Sequence, residues 1–351
     1  MIKVLVVDDS KLIQAVVTEM INEAPDMEVV GEAADPFEAR EKIKELSPDV
    51  ITLDVEMPKM DGITFLKNLM RLRPMPVVML STLTAEGAPV TLEALEVGAV
   101  DFLEKPRLNV TAELPKYASQ LHEKIRAAAS AKVTKYDPDA KKPTDRQHAL
   151  ARNWDNLNFQ LNKIVAIGAS TGGTEAIKEV ITKLPKHFPP IVITQHIPPV
   201  FSTTFAKRLD NSSAMTVYEA EDGQKVEQGC VYLAPGDDHM RLVKKGSHFY
   251  CELEKSEPVN RHRPAVDVMF DSLSELHAKN CIGVLLTGMG ADGAAGLKRF
   301  KDNGAAMTIA QNEETCVVYG MPKAAVDMGA AEKILPLDKI PQTLIQACAK
   351  K

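Results

Sequence analysis

Ser170 lies in Gly168-Ala169-Ser170-Thr171-Gly172, the G-x-S-x-G spacing of a nucleophile elbow. The residues before it, 164–167, form a short β-branched run and read as a buried strand. From Thr174 onward, Ala176, Ile177, Val180, Ile181 and Leu184 recur at three- and four-residue steps, which predicts a helix. Ser170 is therefore expected in a tight strand-to-helix turn, where glycine supplies backbone angles that a side chain forbids. The free N–H groups of the following helix favour negative charge developing beside the hydroxyl. A phosphate- or dinucleotide-binding turn shares this geometry, but Ser170 stands where the second glycine of G-x-G-x-x-G is required. A plain structural turn is the remaining reading.

A second group of reactive side chains is spread over the first half of the chain: Asp8, Asp9, Asp54, Ser81 and Lys105. Each follows an apolar, β-rich run, at 4–7, 50–53, 77–80 and 100–103; a further strand is expected at 28–32. Helical patterns fall between them at 11–23, 36–46, 62–71 and 86–97, with another at 114–129. Strands alternating with helices make a parallel sheet covered on both faces. In such a sheet, residues just beyond the C-terminal strand ends converge on one crevice. Three carboxylates gathered there repel unless a hard divalent cation joins them, and Mg²⁺ prefers oxygen ligands. Lys105 balances charge and can bind a phosphoryl oxygen, and the Ser81 hydroxyl can hydrogen-bond the same oxygen. This chemistry suits phosphoryl transfer onto one carboxylate, and Asp54, on the central strand, is the natural acceptor.

The segments Val6-Val7-Asp8-Asp9-Ser10, 54–62 (DVEMPKMDG), Ser81-Thr82 and Glu104-Lys105-Pro106 closely resemble response-regulator receiver domains, and the resemblance covers the whole first half. It implies a five-stranded, flavodoxin-like doubly wound domain over 1–125. It also implies phosphorylation of Asp54 by a partner histidine kinase, with Mg²⁺ held by Asp8, Asp9, Asp54 and a backbone carbonyl near Glu56. Ser81 and Phe102 correspond to the family's switch hydroxyl and aromatic, with Lys105 beside them.

The second half alternates again. Strands are expected at 164–167, 191–194, 231–233, 282–286, 306–310 and 333–335, with strand material around Val217. Helices are expected at 266–278, 293–302 and 338–348, and 223–236 carries hairpin or loop punctuation. This is a second doubly wound sheet. Ser170, His196 and Asp292 each lie just past a strand's C-terminal end, so they can meet in its crevice. Serine needs a base, histidine has the pKa for that task, and an aspartate would hold the imidazole tautomer. His239 and His262, both in loop-like segments, compete with His196 for the role of base. Asp292 could instead cap the helix beginning near Gly293. No H-x-x-x-H or H-E-x-x-H pattern points to a metal site.

Residues 168–173 (GASTGG), Gln195-His196-Ile197-Pro198, 262–268 (HRPAVDV) and 287–293 (TGMGADG) are very similar to the catalytic domain of the chemotaxis protein-glutamate methylesterases. With a receiver in front and a tether between, that resemblance spans essentially the whole chain. It implies a Rossmann-like hydrolase domain over 163–351, with Ser170 as nucleophile, His196 as base and Asp292 as orienting acid. The implied reactions are hydrolysis of γ-glutamyl methyl esters on methyl-accepting chemoreceptors and deamidation of receptor glutamines, with no cofactor for the esterase. Backbone N–H groups of Thr171 and Met289 are candidates for the oxyanion. Arg261 and Arg263 are candidates for contact with the acidic receptor surface, or else form a solvated basic loop. The family further implies that the unphosphorylated receiver covers the hydrolase cleft, so that phosphorylation shifts the population toward an open state. The alternative from another class is a response regulator with a nucleotide-binding or scaffolding output domain.

Length and composition agree with two domains. The chain has 351 residues, 45% hydrophobic and 26% charged, enough for two cores. A formal net charge of −6 argues against a nucleic-acid or anionic-membrane partner. No apolar run approaches the ~20 residues of a membrane span, and the first residues lack the pattern of a signal peptide. The five scattered cysteines fit a reducing compartment. A cytoplasmic monomer that reaches membrane receptors only through protein contacts is expected. Residues 126–162 read as a mobile tether, with Trp154 and Phe159 packing on the second domain as its leading edge.

Overall fold

The computed structural model describes residues 1–82, 87–106, 114–138, 154 and 157–350, in two compact units that divide between Ala140 and Lys141. In the first unit, strands β1 (Ile2–Val7), β2 (Met27–Ala33), β3 (Val50–Asp54), β4 (Val77–Ser81) and β5 (Asp101–Glu104) alternate with helices. The helices are α1 (Lys11–Asn22), α2 (Pro36–Leu46), α3 (Gly62–Leu72), α4 (Gly87–Val97) and α5 (Leu114–Ser130). The strands are parallel in the order β2-β1-β3-β4-β5. All five residues of β3 and of β4 are buried, as expected for strands covered on both faces. Local chemistry sets the helix starts. Asp35 accepts the N–H groups of Phe37 and Glu38, and Asp61 accepts that of Thr64, which satisfies first-turn donors. The chain order reverses between β1 and β3, so the crevice beyond their C-terminal ends is a topological switch point.

The second unit carries a seven-stranded parallel sheet in the order β14-β13-β12-β6-β7-β9-β8. Its strands are β6 (Ile164–Ala169), β7 (Ile191–Gln195), β8 (Thr216–Glu219), β9 (Cys230–Leu233), β12 (Cys281–Leu285), β13 (Met307–Gln311) and β14 (Lys333–Leu335). Six of them give the Rossmann order 3-2-1-4-5-6, and β8 extends one edge. The helices are α6 (Gly173–Ile181), α7 (Phe201–Ser212), α8 (Val266–His277), α9 (Ala294–Asp302), α10 (Met321–Asp327) and α11 (Ile340–Cys348). An antiparallel hairpin, β10 (His239–Lys245) with β11 (His248–Glu254), stands apart from the main sheet. Met240, Leu242 and Cys251 of the hairpin join Phe270 of α8, Phe300 of α9 and Tyr232 of β9 in one buried cluster. The crevice-forming strands of this sheet are thus backed by a continuous core.

Three elements, the hairpin, α7 and α10, stand where the sequence reading placed none. Within the segment expected as a tether, 126–162, both ends are held to the flanking units. Helix α5 continues to Ser130, and Tyr136 N–H donates to Met70 O at 3.1 Å, so the chain still belongs to the first unit there. At the other end Phe159 is buried, its ring 5.3 Å from that of Phe188, and it pairs with Ala349 beside the end of α11. Phe159 therefore packs on the second unit, and Trp154 is half-buried with its carbonyl accepting Leu157 N–H at 3.0 Å. Residues 139–153, the middle of the tether, lie outside the described residues.

Candidate active site

Ser170 follows β6 directly, in the bend before α6. Its N–H donates to Thr287 O at 3.1 Å, and its carbonyl accepts Gly173 N–H at 2.7 Å. The glycines of the elbow do different work. Gly172 has φ of 76°, the left-handed value expected of a tight turn. Gly168 serves close packing, because a Cβ there would lie 2.2 Å from Val266 Cγ1. The sequence argument from backbone angles thus holds for Gly172, and the packing of α8 against β6 accounts for Gly168.

His196 follows β7, the strand next to β6, and Asp292 follows β12 on its other side. The three residues are brought together across the switch point. His196 Nδ1 lies 3.1 Å from Ser170 Oγ, and His196 Nε2 lies 2.7 Å from Asp292 Oδ2. With Asp292 accepting from Nε2–H, Nδ1 is left as the acceptor for the serine hydroxyl. The relay therefore enters the ring at Nδ1 and leaves at Nε2.

Asp292 is 3% exposed and takes four donors. Oδ2 accepts from His196 Nε2 and from Val266 N at 2.7 Å; Oδ1 accepts from Asn260 Nδ2 at 2.7 Å and Asp267 N at 3.2 Å. Burial alone pushes this carboxyl up, but the hydrogen bonds and the charge of His196 outweigh it and hold the pKa at about 2. Asp292 does not cap α9, whose N-cap is Gly293 without a side-chain bond. It sits instead on the first turn of α8, where aligned N–H groups favour an anion. Asp267, on α8, is the neighbouring buried carboxylate, raised first by burial and then by the charge of Asp292.

The two rival histidines have other roles. His239 is fully buried; its Nε2 donates to Glu257 O at 3.1 Å and its Nδ1 accepts Ala265 N–H at 3.1 Å. It therefore ties down the loop between β11 and α8. His262, on that loop, stacks on His196 with ring centroids 3.7 Å apart and planes 13° apart. Arg263 directs its guanidinium inward, to Asp237 Oδ1 at 2.6 Å and Ser256 O at 2.6 Å, whereas Arg261 is exposed.

Sequence reasoning missed Gln195, Asn260 and Asp267. Gln195 Nε2 donates to Ser170 O at 2.9 Å and to His196 O at 3.1 Å, clamping the backbones of Ser170 and His196. Its signal in sequence was adjacency to His196 at a strand end.

In the first unit, Asp8, Asp9 and Asp54 place carboxylate oxygens within 4.8 Å of one another. Asp8 and Asp54 are buried and Asp9 is exposed. Lys105 Nζ is 2.9 Å from Asp8 Oδ2 and 2.8 Å from Asp54 Oδ2. Burial raises Asp54 to about 6 against the opposing pull of Lys105. Lys105 is itself raised: burial disfavours its charge, but the two carboxylates more than compensate. This all-oxygen set, with one member open to solvent, fits a hard divalent cation. Ser81 Oγ accepts the Thr91 hydroxyl of α4 at 2.9 Å, and Phe102 is buried on β5. A cavity of about 600 Å³ opens beside Asp9, Glu56, Met57 and Ser81.

Comparison with known proteins agrees with both halves. The CheB methylesterase family model matches residues 165–344, and the response regulator receiver domain model matches residues 4–113. The chain is 53% identical over 349 residues to the "Protein-glutamate methylesterase/protein-glutamine glutaminase 2" of Saccharophagus degradans, covering 99% of each chain. It is 52% identical over 345 residues to the Bordetella parapertussis protein-glutamate methylesterase/protein-glutamine glutaminase, covering 98% of this chain and 96% of that one. The crystal structure of the Thermotoga maritima CheB methylesterase catalytic domain matches with 47% identity and a TM-score of 0.52, covering 53% of this chain and 98% of that one. Similarity that runs end to end, through both domains in the same order, leaves one conclusion: this chain belongs to the CheB methylesterase family, with a response-regulator receiver domain ahead of the catalytic domain.

Proposed function

We propose that this chain is a phosphorylation-regulated serine hydrolase that demethylates glutamate methyl esters on chemoreceptors, releasing methanol, and deamidates receptor glutamines, releasing ammonia. The observation that carries this reading is the continuous Ser170–His196–Asp292 chain, at 3.1 and 2.7 Å, across the switch point of a Rossmann sheet. Ser170 Oγ attacks the ester carbonyl as His196 Nδ1 takes its proton. Asp292 steadies the imidazolium through Nε2–H. The proton passes to the leaving methanol, and water, activated by the same histidine, then cleaves the acyl-enzyme to leave glutamate. With a glutamine side chain the leaving group is ammonia.

Two locked peptide units support Thr171 and Met289 as oxyanion donors. The carbonyl of Ser170 is held by Gly173 N–H and Gln195 Nε2, so the N–H of the same planar trans peptide, that of Thr171, points the opposite way. The carbonyl of Gly288 is held by Gly320 and Met321 N–H at 3.1 and 2.8 Å, which turns the Met289 N–H away from them. Gly288 abuts Ser170, since a Cβ on it would lie 2.8 Å from Ser170 Cβ. Preorganised donors of this kind act without reorganising during the reaction. Exposed Arg261 is the better candidate for receptor contact, and Arg263 shapes the loop that presents it.

For regulation, Asp54 is the phospho-acceptor, Lys105 and Ser81 receive the phosphoryl oxygens, and Phe102 completes the switch. A kinase supplies the phosphoryl group. A Mg²⁺ ion held by Asp8, Asp9 and Asp54 would neutralise charge on the transferring phosphoryl group. The unphosphorylated receiver restrains the hydrolase, and phosphorylation of Asp54 relieves that restraint. Among the described residues no helix is long and apolar enough to cross a membrane. The test is methanol release from methylated receptor membranes by the full chain, with and without Mg²⁺ and a small phosphodonor. Release that rises with phosphodonor is expected; no release under either condition contradicts the reading.

A further inference from the structure

Asn260 lies on the loop between β11 and α8 with φ of 52°, in the left-handed region that asparagine tolerates better than most residues. Its Nδ2 is 2.7 Å from Asp292 Oδ1 and 2.8 Å from Asp267 Oδ2. Both acceptors are carboxylates, so the amide nitrogen must face them, with one hydrogen for each. Both are buried, at 3% and 7% exposure. The other oxygen of Asp267 accepts Gly296 N–H at 2.6 Å, and the other oxygen of Asp292 is taken by His196 and Val266. Apart from Asn260, the hydrogen bond found at Asp292 Oδ1 is the long one from Asp267 N, at 3.2 Å.

We propose that Asn260 is a positioning residue of the hydrolytic site: its carboxamide bridges the two neighbouring buried carboxylates and so keeps Asp292 anionic and aimed at His196. The inference rests on the triad reading given above and deepens it. Two adjacent buried carboxylates repel, and without donors between them one of the pair takes up a proton more readily. The groups facing Asp292 are His196 beyond β7, Asp267 from α8 and, stacked on His196, His262 from the loop. Arg299 of α9 acts on Asp267 from farther away while paired with Asp271 at 2.7 Å. None of these groups donates to Asp292 Oδ1 and Asp267 Oδ2 together, as Asn260 does. A proton on Asp292 removes the charge that steadies the imidazolium, so loss of the bridge is expected to move the acid side of the rate profile.

The loop is built to hold Asn260 in place. His239 grips it at Glu257 and Ala265, Arg263 ties Ser256 to Asp237, and Val259 pairs with His262 by reciprocal backbone bonds of 3.1 and 2.9 Å.

The experiment uses the full chain, activated by phosphodonor and Mg²⁺, on methylated receptor membranes. It reads kcat, KM and the pH profile for wild type, Asn260→Asp, Asn260→Ala and Ser170→Ala, with melting temperatures alongside. Asn260→Asp keeps the size of the side chain and its tolerance of left-handed angles but replaces the donor by a third carboxylate. It is expected to lower kcat at neutral pH by about 100-fold, with KM within about twofold, and the acid limb of kcat moves to higher pH in both Asn260 variants. An Asn260→Asp kcat within about threefold of wild type, a loss confined to KM, or a lower melting temperature with an unmoved pH profile overturns the proposal. Turnover retained by Ser170→Ala overturns the triad reading itself. Ser170→Ala inactive beside a fully active Asn260→Asp defeats this inference alone.

Discussion

Asp292 Oδ2 accepts the backbone N–H of Val266 at 2.7 Å, on the same oxygen that accepts from His196. Asp292 is therefore docked on the first turn of α8, a helix that begins 26 residues earlier in the chain. This contact also fixes α8 against β6, where Val266 fills the space left by Gly168. One carboxylate thus holds both the imidazole of His196 and the start of α8.

Asp292→Asn should test that double role. The amide presents a donor where one of the oxygens now receives N–H groups from α8, so stability should fall by about 1–3 kcal/mol. The loss of imidazolium stabilisation should lower kcat by roughly 10⁴-fold. The carboxyl is held at about 2 against an ordinary 3.8, so its contribution is fully present above about pH 4 and fades as pH falls toward 2. Urea unfolding of wild type and variant should accordingly differ at pH 6 and converge as the pH approaches 2. A difference independent of pH would show that the charge is not what stabilises the fold.

Gly173→Ala probes the clamp on the oxyanion peptide. A Cβ at this position would lie 2.1 Å from Gln195 Oε1 and 2.7 Å from Ala169 Cβ. Gln195 must then move, which leaves Gly173 N–H alone to hold the Ser170 carbonyl and loosens the Thr171 peptide. Overpacking of this kind costs about 1–3 kcal/mol, and loss of one preorganised donor lowers kcat by ~10²-fold. Melting temperature and methanol release, measured together, check both; unchanged kcat in a destabilised variant would separate Gln195 from the chemistry.

Mg²⁺ should raise the melting temperature of the receiver transition, and more so at pH 7.5 than at pH 5, each an assay pH chosen about the titration of Asp54. The sign follows from burial lifting that carboxyl to about 6: below this value the acid is largely protonated and a poor ligand, above it the anion is available. Asp54→Asn should lose most of the Mg²⁺ shift and the whole increase of esterase rate on adding phosphodonor. Scanning calorimetry and stimulated methanol release are the readouts, and a phosphodonor response surviving in Asp54→Asn would place the acceptor elsewhere.

Val200→Gly is expected to stabilise the second unit. Val200 has φ of 66° and ψ of −47°, with Phe201 N–H donating to Pro199 O at 2.6 Å, a three-residue γ-turn that a β-branched residue adopts only under strain. Glycine removes about 1–3 kcal/mol of strain and returns roughly 0.5–1 kcal/mol to the entropy of the unfolded chain. A net rise in the urea midpoint follows; a fall would mean that the valine side chain contributes more than its backbone costs.

The crevice rule made most of this site legible. Ser170, His196, Asp292, Asp8, Asp54 and Lys105 all stand beside strands whose β-branched runs mark the strand ends, and the crossing of strand order does the rest. What stayed hidden depends on contacts between segments far apart in sequence. Asn260 reaches Asp292 across 32 residues, and Thr91 reaches Ser81 from the next helix; neither leaves a local pattern. The hairpin is a different case. Gly246 and Ser247 form a two-residue turn, with Lys245 opposite His248, but Lys244 and Lys245 obscure the alternation that Met240 and Leu242 begin. Helix α7 carried apolar residues at Phe201, Phe205, Ala206 and Leu209, a helical spacing whose start is disguised by the Pro198-Pro199 pair and the strained Val200.

The most direct measurement is methanol release from methylated chemoreceptor membranes by wild type and Ser170→Ala, side by side under full phosphodonor activation. Steady release by the wild type is expected, and a rate at least ~10⁴-fold lower in the variant, with both proteins folded alike. Release by Ser170→Ala within about tenfold of the wild type would contradict a serine nucleophile.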